Sequence, residues 1–345
     1  MFLEKKTMSE QSKVTVSRRG FMGGAAALAA STMMSRYALA GPGGEGAGKP
    51  TSRLAGKPNS KFNGVQIGAI TYSFRSMPST AEDLLKYLVQ CGLSSVELMG
   101  EPAEQFAGVP SGGGRGGPRG GRGQMTEEQK KAQQQKQEEQ LKWRLSGPMD
   151  KYKALRKLYN DAGVNIHIVK FGSIGDAGMT DGEIDYYFNA AKALGAKGIT
   201  RELSEEAAQR LGPFADKHKI MIGFHNHTKI TPTTYDGPIL SYGKYLGLNF
   251  DVGHYLAGTS ESPIPIIQKH HDRILSLHLK DRKTNNGANL PFGQGDTPVA
   301  QILQLMRKEK WTFPADIELE YPVPEGSDAV AEVKKCVAFC KEALA

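Results

Sequence analysis

The chain is poor in cysteine and tryptophan, with three and two of them in 345 residues. Cys91, Cys336 and Cys340 are too few for a disulfide framework. Cys336 and Cys340 share a face of the last helix, have no His or Cys motif beside them, and are expected to be buried structural thiols. A membrane-spanning run is also missing, since the apolar stretch Gly23–Ala30 is too short to cross a bilayer. The third absence is a one-signed charge on the body of the chain, despite a formal net charge of +8. Residues 1–40 carry six Lys/Arg against two Asp/Glu, residues 111–145 carry eight against four, and the remainder sums to zero. A general nucleic-acid-binding body therefore has no electrostatic support.

The N-terminus reads Ser17-Arg18-Arg19-Gly20-Phe21-Met22, then the small-residue run, then Ala38-Leu39-Ala40. A charged region, a short apolar region and an Ala-x-Ala site in that order predict a signal peptide over 1–40, with Gly41 the new N-terminus. The paired arginines resemble a twin-arginine export signal, which implies a bacterial periplasmic protein. Residues 41–63, rich in Gly, Pro, Ser and Lys, read as a flexible linker.

From Gly64 the pattern alternates between β runs and helical periodicity. The expected strands are 64–74, 95–99, 164–171, 198–202, 220–227, 246–250, 274–277 and 314–320. Helices are expected over 80–91, 149–162, 181–194, 204–218, 298–308 and 327–344, with a helical spacer between 254 and 274. Eight strands alternating with helices predict an α/β fold, a (β/α)8 TIM barrel over 64–345. The interruption is 103–145, a low-complexity insertion after strand 2. Its Gly/Arg tract (Arg115, Arg119, Arg122) leads into a Gln/Lys/Glu helix over 125–145 with almost no apolar face. An arginine-glycine nucleic-acid tract is one reading; an exported protein favours a solvated loop insertion.

Chemistry-bearing residues close six of the strands: Glu97, Glu202, His225-Asn226-His227, Asp251 followed by His254, His278-Leu279-Lys280, and Glu318-Leu319-Glu320. Residues at i and i+2 of a strand share a face, so His225/His227, His278/Lys280 and Glu318/Glu320 cannot be split between core and solvent. A barrel is densely packed below its catalytic rim, so such pairs belong at the rim. Asp, His and Glu without cysteine suit one divalent cation of intermediate hardness, Mn²⁺ first, with Co²⁺, Zn²⁺ or Mg²⁺ as alternatives. The expected ligands are Glu202, Asp251, His278 and Glu320, with His227 and then His225 in reserve.

Phe250-Asp251-Val-Gly-His254, His278-Leu-Lys280-Asp281, Phe292-Gly-Gln-Gly-Asp296 and Ile317-Glu318-Leu-Glu320-Tyr321 together resemble the sugar phosphate isomerase/epimerase superfamily of xylose isomerase-like barrels. The resemblance implies that Asp251, His278 and Glu320 bind the metal. It departs at strand 5, where many members have a Glu and this chain has His225-Asn226-His227.

These residues lead to the expectation of a metal-dependent isomerase or epimerase acting on a non-phosphorylated sugar or keto-sugar. The cation polarises a carbonyl, and a neighbouring group takes the α proton. Glu202 and Glu320 are the expected proton-handling groups, with Lys280 and His254 as catalytic partners; Glu97, His225 and Glu318 are expected to bind substrate. The competing readings are a lyase or hydrolase that cleaves 3-keto-glycosides by β-elimination through the same enediolate, and a non-catalytic sugar-binding barrel. No nucleic-acid partner and no membrane association after signal cleavage are expected; a homo-oligomer stays open.

Overall fold

The structure, a computed structural model, describes residues 56–110 and 126–345. The described residues fall in one compact unit, Leu54–Ala345. The expected signal peptide, most of the expected linker and the Gly/Arg tract lie outside the described residues.

Eight parallel strands form the barrel: β1 Val65–Ile70, β2 Ser95–Met99, β3 Asn165–Lys170, β4 Gly198–Glu202, β5 Met221–His225, β6 Leu246–Asp251, β7 Ile274–Leu279 and β8 Ala315–Ile317. Each pairs with the next, β8 returns to pair with β1, and the sheet closes. Strands buried on both faces must be nearly continuous in apolar residues outward and tolerate only satisfied polar groups inward. All six residues of β6 and all six of β7 are buried. Leu275 fills part of the interior, and a Cβ at Gly198 or Gly223 would press into its side chain.

Around the strands run α1 Ala81–Gln90, α2 Gly100–Ala107, α3 Glu127–Leu145, α4 Met149–Asp161, α5 Asp181–Leu194, α6 Glu205–His218, α7 Val252–Thr259, α8 Ile264–His270, α9 Val299–Glu309 and α10 Ala329–Ala343. Their starts carry side-chain caps where the sequence supplies them: Thr80 for α1, Thr180 with Glu183 in a capping box for α5, Ser204 for α6, Asp328 for α10.

Several boundaries differ from expectation. The first strand stops at Ile70, because Thr71–Phe74 turn into a 3-10 helix. The last keeps its ladder only to Ile317; beyond it Glu318 N–H still donates to Leu279 O at 3.1 Å, but Leu319 N–H turns to Ser73 Oγ. The single spacer expected between 254 and 274 is two helices, broken at Ser260, which takes a left-handed conformation (φ 60°) just ahead of Pro263. In the insertion, α3 has no buried residue and is pinned near its C-terminus, where Arg144 pairs with Glu104 (2.9 Å) and Glu183 (3.6 Å).

Candidate active site at the C-terminal rim

The barrel interior is polar in layers. Lowest is a buried chain in which Ser95 Oγ meets His167 Nδ1 at 2.8 Å and His167 Nε2 meets Asp316 Oδ2 at 2.9 Å. Above it stands Glu97, fully buried. Its Oε1 accepts from Thr200 Oγ1 (2.6 Å), and its Oε2 from His278 Nε2 (2.9 Å) and Asn249 Nδ2 (3.0 Å). Burial opposes ionisation of Glu97, but His278 outweighs it and holds the carboxyl down at about 2.

Glu97 decides the state of two imidazoles. It accepts a hydrogen bond from His278 Nε2 directly, which leaves Nδ1 facing Glu318 Oε2 at 2.7 Å. It also orients Asn249, whose Nδ2 must donate to a carboxylate, so that Oδ1 turns to His225 Nδ1 at 2.9 Å. His225 therefore donates from Nδ1 and keeps a lone pair on Nε2. Burial, together with Lys170 and His278, lowers its pKa to about 3, so it stays neutral. His278 goes the other way. Burial disfavours its charge, yet Glu97 and Glu318 on its two nitrogens push it up to about 10.

His225, Asp251, His278 and Glu318 are all buried, and each offers one donor atom within 4.8 Å of the others. The strand registers explain why they meet. Asp251 of β6 pairs with His278 of β7, and His225 closes β5, whose His225 pairs with Asn249 of β6. Asp251 Oδ2 is buried without a hydrogen-bond partner, although Lys280 Nζ lies 3.1 Å away. Burial raises the cost of its charge, but Lys280 and His254 keep its carboxyl at about 2. Two imidazole nitrogens and two carboxylates, one of them Asp251 with its buried Oδ2 free of a hydrogen bond, fit a divalent cation of intermediate hardness. Both imidazoles donate their other N–H to the Glu97 network, as metal-ligating histidines do.

This set differs from the expected one in specific places. Asp251 and His278 are in it, as expected. Glu318, expected to bind substrate, takes the place expected for Glu320, and His225, expected first as a substrate group, joins the cluster. The physical reason is register. Asp316 of β8 pairs with His278, so Glu318 lies level with Lys280, and Glu320 stands a further rung toward the rim. Glu202 and His227 also lie outside the quartet. They pair with each other (His227 Nε2–Glu202 Oε2, 2.8 Å) and approach His225 as a second, more exposed group. Glu97, expected to bind substrate, is fully buried with both carboxylate oxygens engaged by barrel side chains.

Flanking the quartet are two carboxylate–lysine–histidine groups. On one side Glu202 meets Lys170 Nζ (2.9 Å) and His227. Burial works against its charge, but His227 and Lys170 hold it well below the usual carboxylate range. On the other side Glu320 Oε2 meets Lys280 Nζ at 2.7 Å, with His254 Nε2 at 3.6 Å. Burial opposes the charge on Lys280, but Asp251, Glu318 and Glu320 raise its pKa. The His227 and His254 rings stack with centroids 4.9 Å apart, joining the two groups over the site. Glu202 ends β4 and Glu320 follows β8, four strands apart in an eight-stranded barrel, so they face the centre from opposite sides.

Sequence reasoning missed Lys170, Thr200 and Asn249. Lys170 closes β3 as the other site residues close their strands, and that position was the signal available for it. Thr200 and Asn249 lie inside strands, where a short polar residue carries no pattern.

A closed parallel barrel whose ionisable residues converge at one rim defines an α/β-barrel enzyme scaffold with a candidate metal centre. Residues 190–342 match the family described as a xylose isomerase-like TIM barrel. Three solved structures share the fold. A probable 3-DHS dehydratase from Bacillus anthracis is 13% identical, covering 80% of this chain and 99% of its own, with a TM-score of 0.54. A sugar phosphate isomerase/epimerase from Parabacteroides distasonis is 18% identical, covering 80% and 93%, with a TM-score of 0.52. The 3-keto-D-glucoside 4-epimerase of E. coli is 12% identical, covering 81% and 99%, with a TM-score of 0.51. No curated protein sequence matches the chain.

Proposed function

We propose that this protein is a divalent-metal-dependent isomerase or epimerase of non-phosphorylated sugars or keto-sugars. The observation that carries the reading is the buried His225–Asp251–His278–Glu318 quartet with Glu202 and Glu320 facing it from opposite strands. A cation held there supplies Lewis-acid polarisation of a substrate carbonyl. The chain's own residues do the rest. Glu202, kept ionised by Lys170 and His227, is a base on one side. Glu320, paired with Lys280, is the second carboxylate on the other, so a proton can be taken from one face of a carbon and returned on the opposite face. Among the described residues, Arg201 and Arg210 spend their guanidinium groups on the carbonyls of Ile174, Asp176 and Met179, which leaves no guanidinium cluster for a phosphate there.

The test is incubation of the metal-loaded protein with ketoses and 3-keto-glucosides in deuterated water. Deuterium incorporation with an inverted or isomerised product supports the proposal. Release of the aglycone, with elimination in place of inversion, would replace it by a lyase. Glu202→Gln and Glu320→Gln are each expected to lower turnover roughly 10²–10⁴-fold.

We also propose export by the twin-arginine route. Support comes from the order of motifs in residues 1–40 alone. Mass spectrometry of the periplasmic fraction should find a chain beginning at Gly41, and replacement of Arg18 and Arg19 by Lys should retain the uncleaved chain in the cytoplasm.

A further inference from the structure

The end of the barrel opposite the candidate active site is not filled. Lys197 precedes β4, Met221 opens β5, Tyr245 precedes β6, Ile274 opens β7 and Pro314 precedes β8, and all five line one cavity of about 460 Å³. A smaller cavity of about 200 Å³ lies against the starts of β2 and β3, where Ser95, Asn165 and His167 line it. The two share Lys197, Leu275, Thr312 and Pro314 in their walls, so they adjoin. This end of such a barrel ordinarily serves stability, and stability is served by close packing. Here the space left is on the scale of a small-molecule site.

The lining is specific in three respects. One wall is a row of near-parallel rings. His271 and Trp311 have centroids 5.4 Å apart at 17°, and Trp311 and Phe313 have centroids 5.5 Å apart at 28°. His271 is exposed and Phe313 partly so, which leaves ring surface open at both ends of the row. The mouth is cationic. Lys61, Lys197 and Lys310 are exposed there, and none has an ion-pair partner among the described residues; one carboxylate, Asp272, stands with them. Elsewhere on the surface such lysines are paired, as Lys157 is with Asp161 and Lys217 with Asp185. The floor of the smaller cavity is polar. Ser95 Oγ meets His167 Nδ1 there at 2.8 Å, and a hydroxyl so engaged still has hydrogen-bonding capacity for a ligand. Asp316 beneath is fully buried and faces His167, away from the lysines.

We propose that this cavity is a second ligand site, and that it takes a planar aromatic carboxylate. The ring would extend the His271–Trp311–Phe313 row, and the Lys197 ammonium, common to both cavities, would hold the carboxylate. Offset stacking rewards a flat ring beyond the apolar area it buries. The ammonium adds an attraction that salt weakens. A neutral ring or a saturated acid would have only one of the two. The site stands at the other end of the barrel from the metal quartet, so it does not rest on the sugar chemistry proposed above.

The test is isothermal titration calorimetry of the full chain with 2-naphthoate. Alongside it, Trp311 emission is followed in a Trp143→Phe background, since these are the two tryptophans. One saturable site is expected, with a change in Trp311 emission. 2-Naphthamide keeps the rings without the charge, and decahydro-2-naphthoate keeps the charge without the flat rings. Each should bind roughly 3–10-fold more weakly. Lys197→Gln, at an exposed position, should bring the acid down to the affinity of the amide, and Trp311→Leu should bring it down to that of the saturated acid. Absence of saturable binding overturns the proposal. So does equal affinity for acid and amide, or binding that leaves Trp311 emission unchanged. The comparison of the three ligands needs no variant, so a Trp311→Leu chain that failed to fold would leave the proposal open to refutation.

Discussion

At the residue scale, Glu97 shows how one buried carboxylate governs a site it does not touch from the substrate side. It holds His278 directly and His225 through Asn249. Its removal should therefore lower metal affinity more than fold stability. Glu97→Gln is expected to weaken divalent-metal binding roughly 10–100-fold, measured by calorimetry, while the chain stays folded by circular dichroism. Asn249→Ala should weaken it in the same direction by a smaller factor, through His225 alone. The cysteines make a contrasting case. All three are buried, and burial pushes the thiols of Cys91 and Cys336 up to about 12 and that of Cys340 upward too. None forms a thiolate near neutrality, so a thiol reagent at pH 8 should label none of them in the native protein and all three after denaturation.

At the scale of elements, two segments differ sharply in how they are held. α6 packs so closely on the turn at Tyr242–Gly243 that a Cβ at Gly212 would overlap the Tyr242 carbonyl oxygen. Gly212→Ala should therefore destabilise the protein by about 1–3 kcal/mol, read from urea unfolding. α3 is the opposite case. Its stretch of charge and glutamine buries no residue, and its described anchors are Arg144 on Glu104 and Glu183, and the edge of Trp143 against Tyr186 at 6.0 Å. Arg144→Met should expose Lys130–Lys142 to trypsin many times faster while leaving the barrel's unfolding transition in place. A helix this polar gains too little from packing to stay folded once its anchor is cut.

At the scale of the whole molecule, the polar interior makes stability depend on pH. Glu97 and Asp251 are both held at about 2, against ordinary values of 4.5 and 3.8. A depressed carboxyl pKa means the unfolded chain binds protons first as the pH falls. The stability these groups contribute is present in full above about pH 4.5 and is lost as the pH drops toward 2. Urea midpoints of the metal-free protein should begin to fall below about pH 6.5, where the unfolded chain protonates an imidazole that burial keeps neutral at His225, and fall more steeply below 4.5; Glu97→Gln should flatten that steep limb. A midpoint that rose on acidification below pH 4.5 would contradict the described charge pairs.

Much of this architecture was legible beforehand. Thr80 opens an expected helix that the structure uses, and the eight β runs lie where the barrel strands are. Asp251 and His278 were readable as partners because each closes an apolar run. The choice between Glu318 and Glu320 was not, because alternation with period two states which face a side chain is on and says nothing of its height along the barrel. That height comes from the stagger between β7 and β8, which sets Asp316 beside His278 and so raises Glu320 to the rim. The contacts of Lys170 and Asn249 were hidden for a related reason. They are pairings between strands or loops far apart in sequence, and a single chain read in order carries no record of them. By itself the sequence determined the alternation, the side-chain chemistry at the strand ends and the polar composition of the insertion, because these follow from local periodicity and composition. Only the closed barrel decided which donors meet, which are buried beneath them and which proton each imidazole keeps, because those depend on register, depth and the removal of water.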